Sequence, residues 1–242
     1  MRGFLDNTPS INQLHSEDPY NQYSTIFQDQ AHADYFSSVN ISLFSYLKLK
    51  NKIPLRQFLA GWLTTIVEKR AINRMLGMCS GKSIIDVPCG TGKLLPVFNK
   101  NDRSVFALDA SAAMLSKAKN PDAEGVQFAL SDIRYLPIRD YSVDIVISHR
   151  FLHRIPHEKY PATLCELFRI SKKHVILYFS VKNIFTDIQV FFNIGDRDKI
   201  YYITKSAIKK EVEKCGFRFV KGIYVLPFLS TGFLVLAEKK NL

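Results

Sequence analysis

Residues 83–94, Ser83-Ile84-Ile85-Asp86-Val87-Pro88-Cys89-Gly90-Thr91-Gly92-Lys93-Leu94, decide how this chain folds. The apolar pair Ile84-Ile85 predicts a buried strand ending in Asp86, and Gly90-Thr91-Gly92 predicts a sharp turn into a helix. Such a turn exposes backbone N–H groups at the positive end of the helix. Its glycines let a ligand approach the main chain where a Cβ would block it. Nucleotide-binding folds of several kinds use a turn like this, so its meaning depends on the strands downstream of it.

Three more strands come at regular distance. Val105-Phe106-Ala107-Leu108 ends in Asp109, which lies 23 residues after Asp86. An acid about 20 residues beyond a glycine turn is placed, in a doubly wound sheet, to accept hydrogen bonds from ribose hydroxyls. The stretch 125–133 is another short strand, ending in Asp132-Ile133, and Val143–Ile147 is almost wholly apolar before Ser148-His149. Open α/β sheets bind ligands at the carboxyl ends of their strands, where the strand order reverses. Four strands therefore deliver polar groups to one edge. Each group also has a plainer role: Asp86 could simply end a strand, Asp109 could cap the next helix, and Met114 could belong to the core. Asp132 and Asp144 would then be surface acids; Asp144 starts its strand at the edge away from the site.

Four segments together make the chain resemble the class I S-adenosylmethionine-dependent methyltransferases, in particular the small-molecule branch often labelled type 11. They are Ile85–Gly92, Ala107–Leu115, Ser131-Asp132 with Leu136-Pro137, and Tyr141–Ile147. The resemblance covers roughly residues 70–180 well and the C-terminal part more loosely. It implies a Rossmann-like α/β fold: a seven-stranded, mostly parallel sheet with an antiparallel last strand, helices on both faces and an N-terminal helical cover. It also implies that S-adenosylmethionine binds here and leaves as S-adenosylhomocysteine. Asp86, Pro88, Gly90, Thr91 and Gly92 would hold its methionine part. Asp109 with Ala110 would hold the ribose, and Met114, Asp132 and Ile133 the adenine. Pro88 stands where the family usually has glycine, and proline removes one backbone donor from the loop.

The rest of the chain divides around this core. Residues 1–77 are expected to be an extension and cover, ending in an amphipathic helix over 55–77 with Leu55, Leu59, Leu63, Ile66 and Ile72 near helical spacing. The methyltransferase core would occupy 78–242, interrupted by a cover insertion at about 182–203. Thr204 can cap a helix over 205–215 that stops at Gly216, before two closing strands at 217–226 and 232–238. At 242 residues and 47% hydrophobic, the chain can bury a substantial core. It has no apolar run long enough for a membrane span and no apolar signal core, so a cytoplasmic protein is expected. Its four cysteines, Cys79, Cys89, Cys165 and Cys215, show neither metal-ligand spacing nor a disulfide framework. No metal is expected.

The formal net charge is +11, unevenly spread, with basic residues gathered at 48–56 and 205–214. Such a surface could attract nucleic acid, anionic lipid at a membrane surface or an acidic small molecule, or could be only a solvated face. No RNA-binding module is present, so nucleic acid is not favoured.

Methyl transfer is an in-line displacement on an already electrophilic methyl group, so alignment supplies much of the acceleration. A hydroxyl acceptor gains from a base with a pKa near neutrality. His149 is the first candidate and His153 the second; in a helix the two would share a face. His149 could equally only support the cofactor or loop packing. Arg150 could bind an acidic acceptor or cap a loop, and Tyr23, Tyr35 and Tyr46 could line an acceptor site. The base-amino methylation signature and a cytosine-type nucleophilic cysteine are both missing from their positions. The expected activity is therefore methylation of a small molecule, on oxygen, in a biosynthetic pathway. The alternatives are an RNA methyltransferase using the basic surface and a non-catalytic cofactor-binding regulatory subunit. The sequence leaves the oligomeric state open.

Overall fold

Successive residues of the central strands feed two different cores. Ile84 packs on one face of the sheet and Ile85 on the other; Ile145 and Ile147 lie opposite Val146, and Ile176 lies opposite Val175 and Leu177. This period of two, in strands with almost no polar residue, is the signature of a sheet covered by helices on both sides. The structure is a computed structural model describing residues 55–98, 103–120, 123–182, 200–226 and 230–240.

The elements run in the order α1 (Leu55–Leu76), β1 (Ser83–Asp86), α2 (Leu95–Phe98), β2 (Ser104–Asp109), α3 (Ala112–Ala118), β3 (Gln127–Leu130) and β4 (Val143–Ser148). They continue with α4 (Tyr160–Ile170), β5 (Ser171–Val181), β6 (Tyr202–Ile203), α5 (Lys205–Lys214), β7 (Phe217–Tyr224) and β8 (Gly232–Lys239). The sheet order is β3-β2-β1-β4-β5-β8-β7, with β6 beside β5. Strands β1 to β6 pair in parallel, and β8 runs antiparallel to both β5 and β7. The chain moves outward from β1 to β3 and then returns to β4, so the order reverses between β1 and β4. That gap is where the fold places a ligand.

One face is packed by α4 and α5 through Leu164, Leu167, Phe168, Ile208 and Val212. The other is packed by α1, α2 and α3 through Ile72, Met75, Leu76, Phe98 and Leu115. Each fully buried side chain of this size contributes about 1.5–3 kcal/mol relative to exposure. Helix α5 starts on Thr204, whose hydroxyl accepts from the Ala207 N–H at 3.2 Å, and gives way to Gly216 at φ +79°.

Three expectations change. The sheet has eight strands rather than seven, because Tyr202–Ile203, expected at the end of the insertion, pairs with Ser180–Val181. Leu63 is exposed together with Trp62, and among the described side chains of α1, from Gly61 on, the first buried one is Glu68. Asp144 is more than a surface acid: its Oδ2 accepts from the N–H groups of Lys82 and Ser83 at 2.9 and 3.1 Å and from the Ser83 hydroxyl at 3.0 Å. Those bonds hold its pKa below the ordinary value against the opposing effect of burial, and they clamp the start of β1 to the start of β4. Tyr23, Tyr35, Tyr46 and most of the expected cover lie outside the described residues. Among the described residues, no helix is long and apolar enough to cross a membrane.

Candidate active site

Asp86, Asp109 and His149 stand at the carboxyl ends of β1, β2 and β4 and line one cleft over the switch point. The cleft is partly open to solvent. Of the other expected cofactor residues, Pro88, Gly90, Thr91, Ala110, Met114, Asp132 and Ile133 also line it.

The loop after β1 is held by Asp109. One carboxylate oxygen accepts from the Gly90 N–H at 2.8 Å and the other from the Ser111 N–H at 2.9 Å. The helix cap is Ser111 instead, whose hydroxyl accepts from the Met114 N–H at 3.2 Å. Each Asp109 oxygen keeps lone-pair capacity for a further donor. Burial raises the pKa of Asp109, and the backbone bonds oppose that rise.

Asp86 differs. It is buried, and its Oδ1 has no hydrogen-bond partner. Burial, and secondarily the charge of Asp109, push its pKa well above the ordinary value. The buried Ser131 Oγ, also on the cleft wall, is likewise without a partner. Unsatisfied buried polar atoms cost about 1–3 kcal/mol each, so they mark where a ligand's donors belong. Asp132 is already engaged: Arg134 grips both its oxygens, with Nη2 at 2.6 Å from Oδ2. S-adenosylmethionine carries an ammonium group, a ribose diol and an adenine amine. The cleft lining offers carboxylate and hydroxyl acceptors for such donors, so the residues fit the cofactor.

Gly90 and Gly92 both have positive φ, +55° and +74°, but they serve differently. A Cβ on Gly90 would meet no atom within 4 Å, so the open side of this residue is room for a ligand. A Cβ on Gly92 would come within 2.8 Å of Leu95 Cδ1 and 3.1 Å of Ala118 Cα. Gly92, expected to touch the cofactor, instead stands off the cleft wall and lets α2 and α3 approach. Gly92→Ala is expected to cost about 2–3 kcal/mol of stability in urea unfolding, from left-handed strain plus overpacking. Gly90→Ala should cost only about 1 kcal/mol, yet weaken cofactor binding.

The same cleft also carries positive charges. Lys93, Arg150 and Arg154 line it beside His149. Helix α1 sends in Glu68, which is 2% exposed. Its Oε1 accepts from Arg150 Nε and Nη2 at 3.0 and 2.9 Å. His149 Nε2 lies 3.3 Å from Glu68 Oε2, an ion-pair distance without hydrogen-bond alignment. Burial alone would raise the pKa of Glu68, but Arg150 and His149 outweigh it and hold the carboxylate at about 2. Burial lowers the pKa of His149, with Glu68 opposing. Arg150 sits at φ +54°, a strained left-handed conformation for a side chain of this size.

His153 does not line the cleft. The segment is not the helix that would put it on one face with His149; Leu152–Arg154 forms a single 3-10 turn. The two rings meet instead on Tyr178, with centroids 5.2 and 5.3 Å from it. Burial takes the His153 pKa well below the ordinary value. Cys89 is a buried packing residue whose thiol is pushed up by burial and by Asp86 and Asp109, which makes it a poor nucleophile.

Sequence reasoning missed Glu68, Lys93 and Ser131. Glu68 did leave a signal: it shares one helical stripe with Ala71, Ile72 and Met75, where a charge is out of place.

Comparison with known proteins agrees with this geometry. Residues 84–174 match a family model described as a methyltransferase domain. The malonyl-acyl-carrier-protein O-methyltransferase of Pectobacterium atrosepticum is 34% identical over 101 residues, which is 42% of this chain and 39% of that protein. The chloroplastic magnesium protoporphyrin IX methyltransferase of Arabidopsis thaliana is 26% identical over 59% of this chain and 48% of that protein. The chain thus spans less than half the length of these two relatives. Among solved structures, the magnesium protoporphyrin IX methyltransferase of Synechocystis with bound S-adenosylhomocysteine superposes with a TM-score of 0.76. It shows 17% identity, covering 91% of this chain and 100% of that one, a likeness of fold. With the ordered motifs, the strand order and an acceptor-rich cleft at the switch point, residues 84–174 are a methyltransferase domain within a chain that has the fold of the class I S-adenosylmethionine-dependent methyltransferases.

Proposed function

We propose that this protein transfers a methyl group from S-adenosylmethionine to a small-molecule acceptor, on oxygen, in a biosynthetic pathway. The observation that carries the reading is the buried Asp86 with an unpartnered oxygen, beside the Asp109-held glycine turn. A donor-rich, cationic amino-acid end would satisfy it. When bound, the cofactor supplies an electrophilic methyl group on a sulfonium. The protein's part is to hold that group in line with the acceptor and to keep water out. His149 lines the cleft, and with Glu68 on its Nε2 side the other ring nitrogen is the basic one. Oxygen as the attacked atom is favoured by the relative named as an O-methyltransferase.

Purified protein should bind S-adenosylmethionine and S-adenosylhomocysteine in calorimetry with micromolar affinity. Given methyl-tritiated S-adenosylmethionine and a cell extract, it should place label in acid-soluble small molecules. Label in acid-precipitable RNA would overturn the small-molecule reading, and no binding by folded protein would overturn the enzyme.

A further inference from the structure

The spacing of the four cysteines predicts no disulfide framework, but the fold brings two of them together. Cys165 lies on α4 and Cys215 caps the end of α5, fifty residues apart in sequence. The two helices touch on one face of the sheet, where Cys215 packs against their shared apolar cluster. Phe168, one turn after Cys165, meets Phe217, two residues after Cys215, with ring centroids 4.3 Å apart. That contact sets α4 against the junction of α5 and β7, and there the two thiols are hydrogen-bonded to each other.

The four thiols differ in access. Cys79 and Cys89 are buried, and burial pushes both thiols up. Cys79 also donates its S–H to the Met75 carbonyl at 3.2 Å. Cys165 is exposed, and Cys215 is half-buried. Burial first, then the neighbouring Cys165 and Glu211, push the Cys215 thiol up to about 12. A dissolved oxidant therefore meets Cys165 first, with Cys215 held beside it. One accessible thiol in contact with one shielded thiol is the arrangement of an attacking and a resolving cysteine.

We propose that Cys165 and Cys215 form a dithiol site, which a low-molecular-weight disulfide of the glutathione class oxidises to an intramolecular disulfide. The bond would be a removable staple between α4 and the junction of α5 and β7. The site is separate from the cleft: Phe217 pairs with Lys239 and His174 with Glu238, at the sheet edge opposite the strand ends that carry Asp86 and His149. The inference does not rest on the methyltransferase reading.

The exchange balances in two steps. The Cys165 sulfur, as thiolate, attacks one sulfur of the small disulfide, and the first small thiol leaves and takes up a proton. In the resulting mixed disulfide, Cys165 no longer carries the charge that holds up the Cys215 thiol. Cys215 then gives its proton to water, and its sulfur attacks the Cys165 sulfur and releases the second small thiol. The protein loses two electrons and two protons, and the small disulfide gains both. Contact between the sulfurs makes the second step intramolecular, which offsets the small thiolate fraction of Cys215.

The test holds the full-length protein in excess oxidised glutathione, quenches in acid, alkylates in denaturant and digests for mass spectrometry. The expected product is a Cys165–Cys215 cross-link in most molecules, with Cys79 and Cys89 alkylated. Closing a loop of this length constrains the unfolded chain, so the melting temperature should rise by about 5–15 °C and return with dithiothreitol. Cys215→Ser should stop at a mixed disulfide on Cys165 and show no such rise. Cys165→Ser should leave Cys215 without glutathione. Wild type that stops at the mixed disulfide, with Cys215 open to alkylation, would overturn the inference, because the sulfurs would not meet. So would no modification, or a Cys165–Cys165 link between two copies seen as a dimer on a non-reducing gel. A cross-link with no rise in melting temperature would overturn the staple. Cys165→Ser changes an exposed residue and so keeps the test valid if Cys215→Ser misfolds.

Discussion

Asp109→Ala is expected to weaken S-adenosylmethionine binding by about 100-fold or more, because one carboxylate performs two tasks. It holds the glycine loop by accepting from the Gly90 and Ser111 N–H groups, and the proposed ribose contact would use its remaining lone pairs. Alanine removes both functions and leaves two backbone donors to find water or nothing. Asp109→Asn keeps one acceptor oxygen but turns a donor toward the other N–H. It should therefore fall between, at roughly a tenfold loss. The two tasks can be separated by the ligand. In calorimetry, removing the 2′-hydroxyl of S-adenosylhomocysteine should cost the wild type affinity and cost Asp109→Ala almost nothing. Equal losses in both proteins would show that Asp109 holds the loop but does not touch the ribose.

That double role explains why some of the site was readable from sequence and some was not. The acids at the ends of β1, β2 and β3 stand out because each closes an apolar run, and strand alternation fixes where such a run ends. The glycine turn stands out for the same reason, since positive φ restricts the residue type. What those acids bond to does not follow from the pattern. Asp109 lies 19 residues beyond Gly90, and only the folded pairing of β1 with β2 brings them together. Asp132 looks equivalent to Asp109 in sequence, yet Arg134, two residues on, occupies it. The role of Asp144 as a clamp on Ser83 likewise depends on the pairing of β1 with β4, a contact across 61 residues. Tyr202–Ile203 gave no strand signal because two residues are too few for a period. Glu68 was hardest, because helical spacing assigns α1 to packing and does not say which neighbour its one buried acid will meet.

Glu68→Ala is expected to cost about 1.5–3 kcal/mol in urea unfolding, since it takes a charged acceptor from Arg150, whose side chain is 37% exposed, and a counter-charge from the buried ring of His149. Glu68→Gln, of the same shape, keeps an acceptor for Arg150 and should cost less. The pH dependence distinguishes charge from packing. In the folded protein the Glu68 carboxylate titrates at about 2, against about 4.5 when unfolded. Folding therefore favours the ionised form, and this stabilisation is complete above about pH 4.5. It is lost as pH falls toward 2, and its size is on the order of 3 kcal/mol. Wild-type stability should decline across that window, and Glu68→Gln should lose that component of the decline. The same variant removes the charge that props up His149, so its imidazole pKa, already lowered by burial, should move lower still in a proton-resolved NMR titration. An unchanged His149 titration in Glu68→Gln would mean that the 3.3 Å contact carries no electrostatic coupling. Helix α1 would then act on the cleft through the bonds of Glu68 to Arg150 and not through His149. A downward shift would show that α1, which lies outside the matched region 84–174, tunes the candidate base His149.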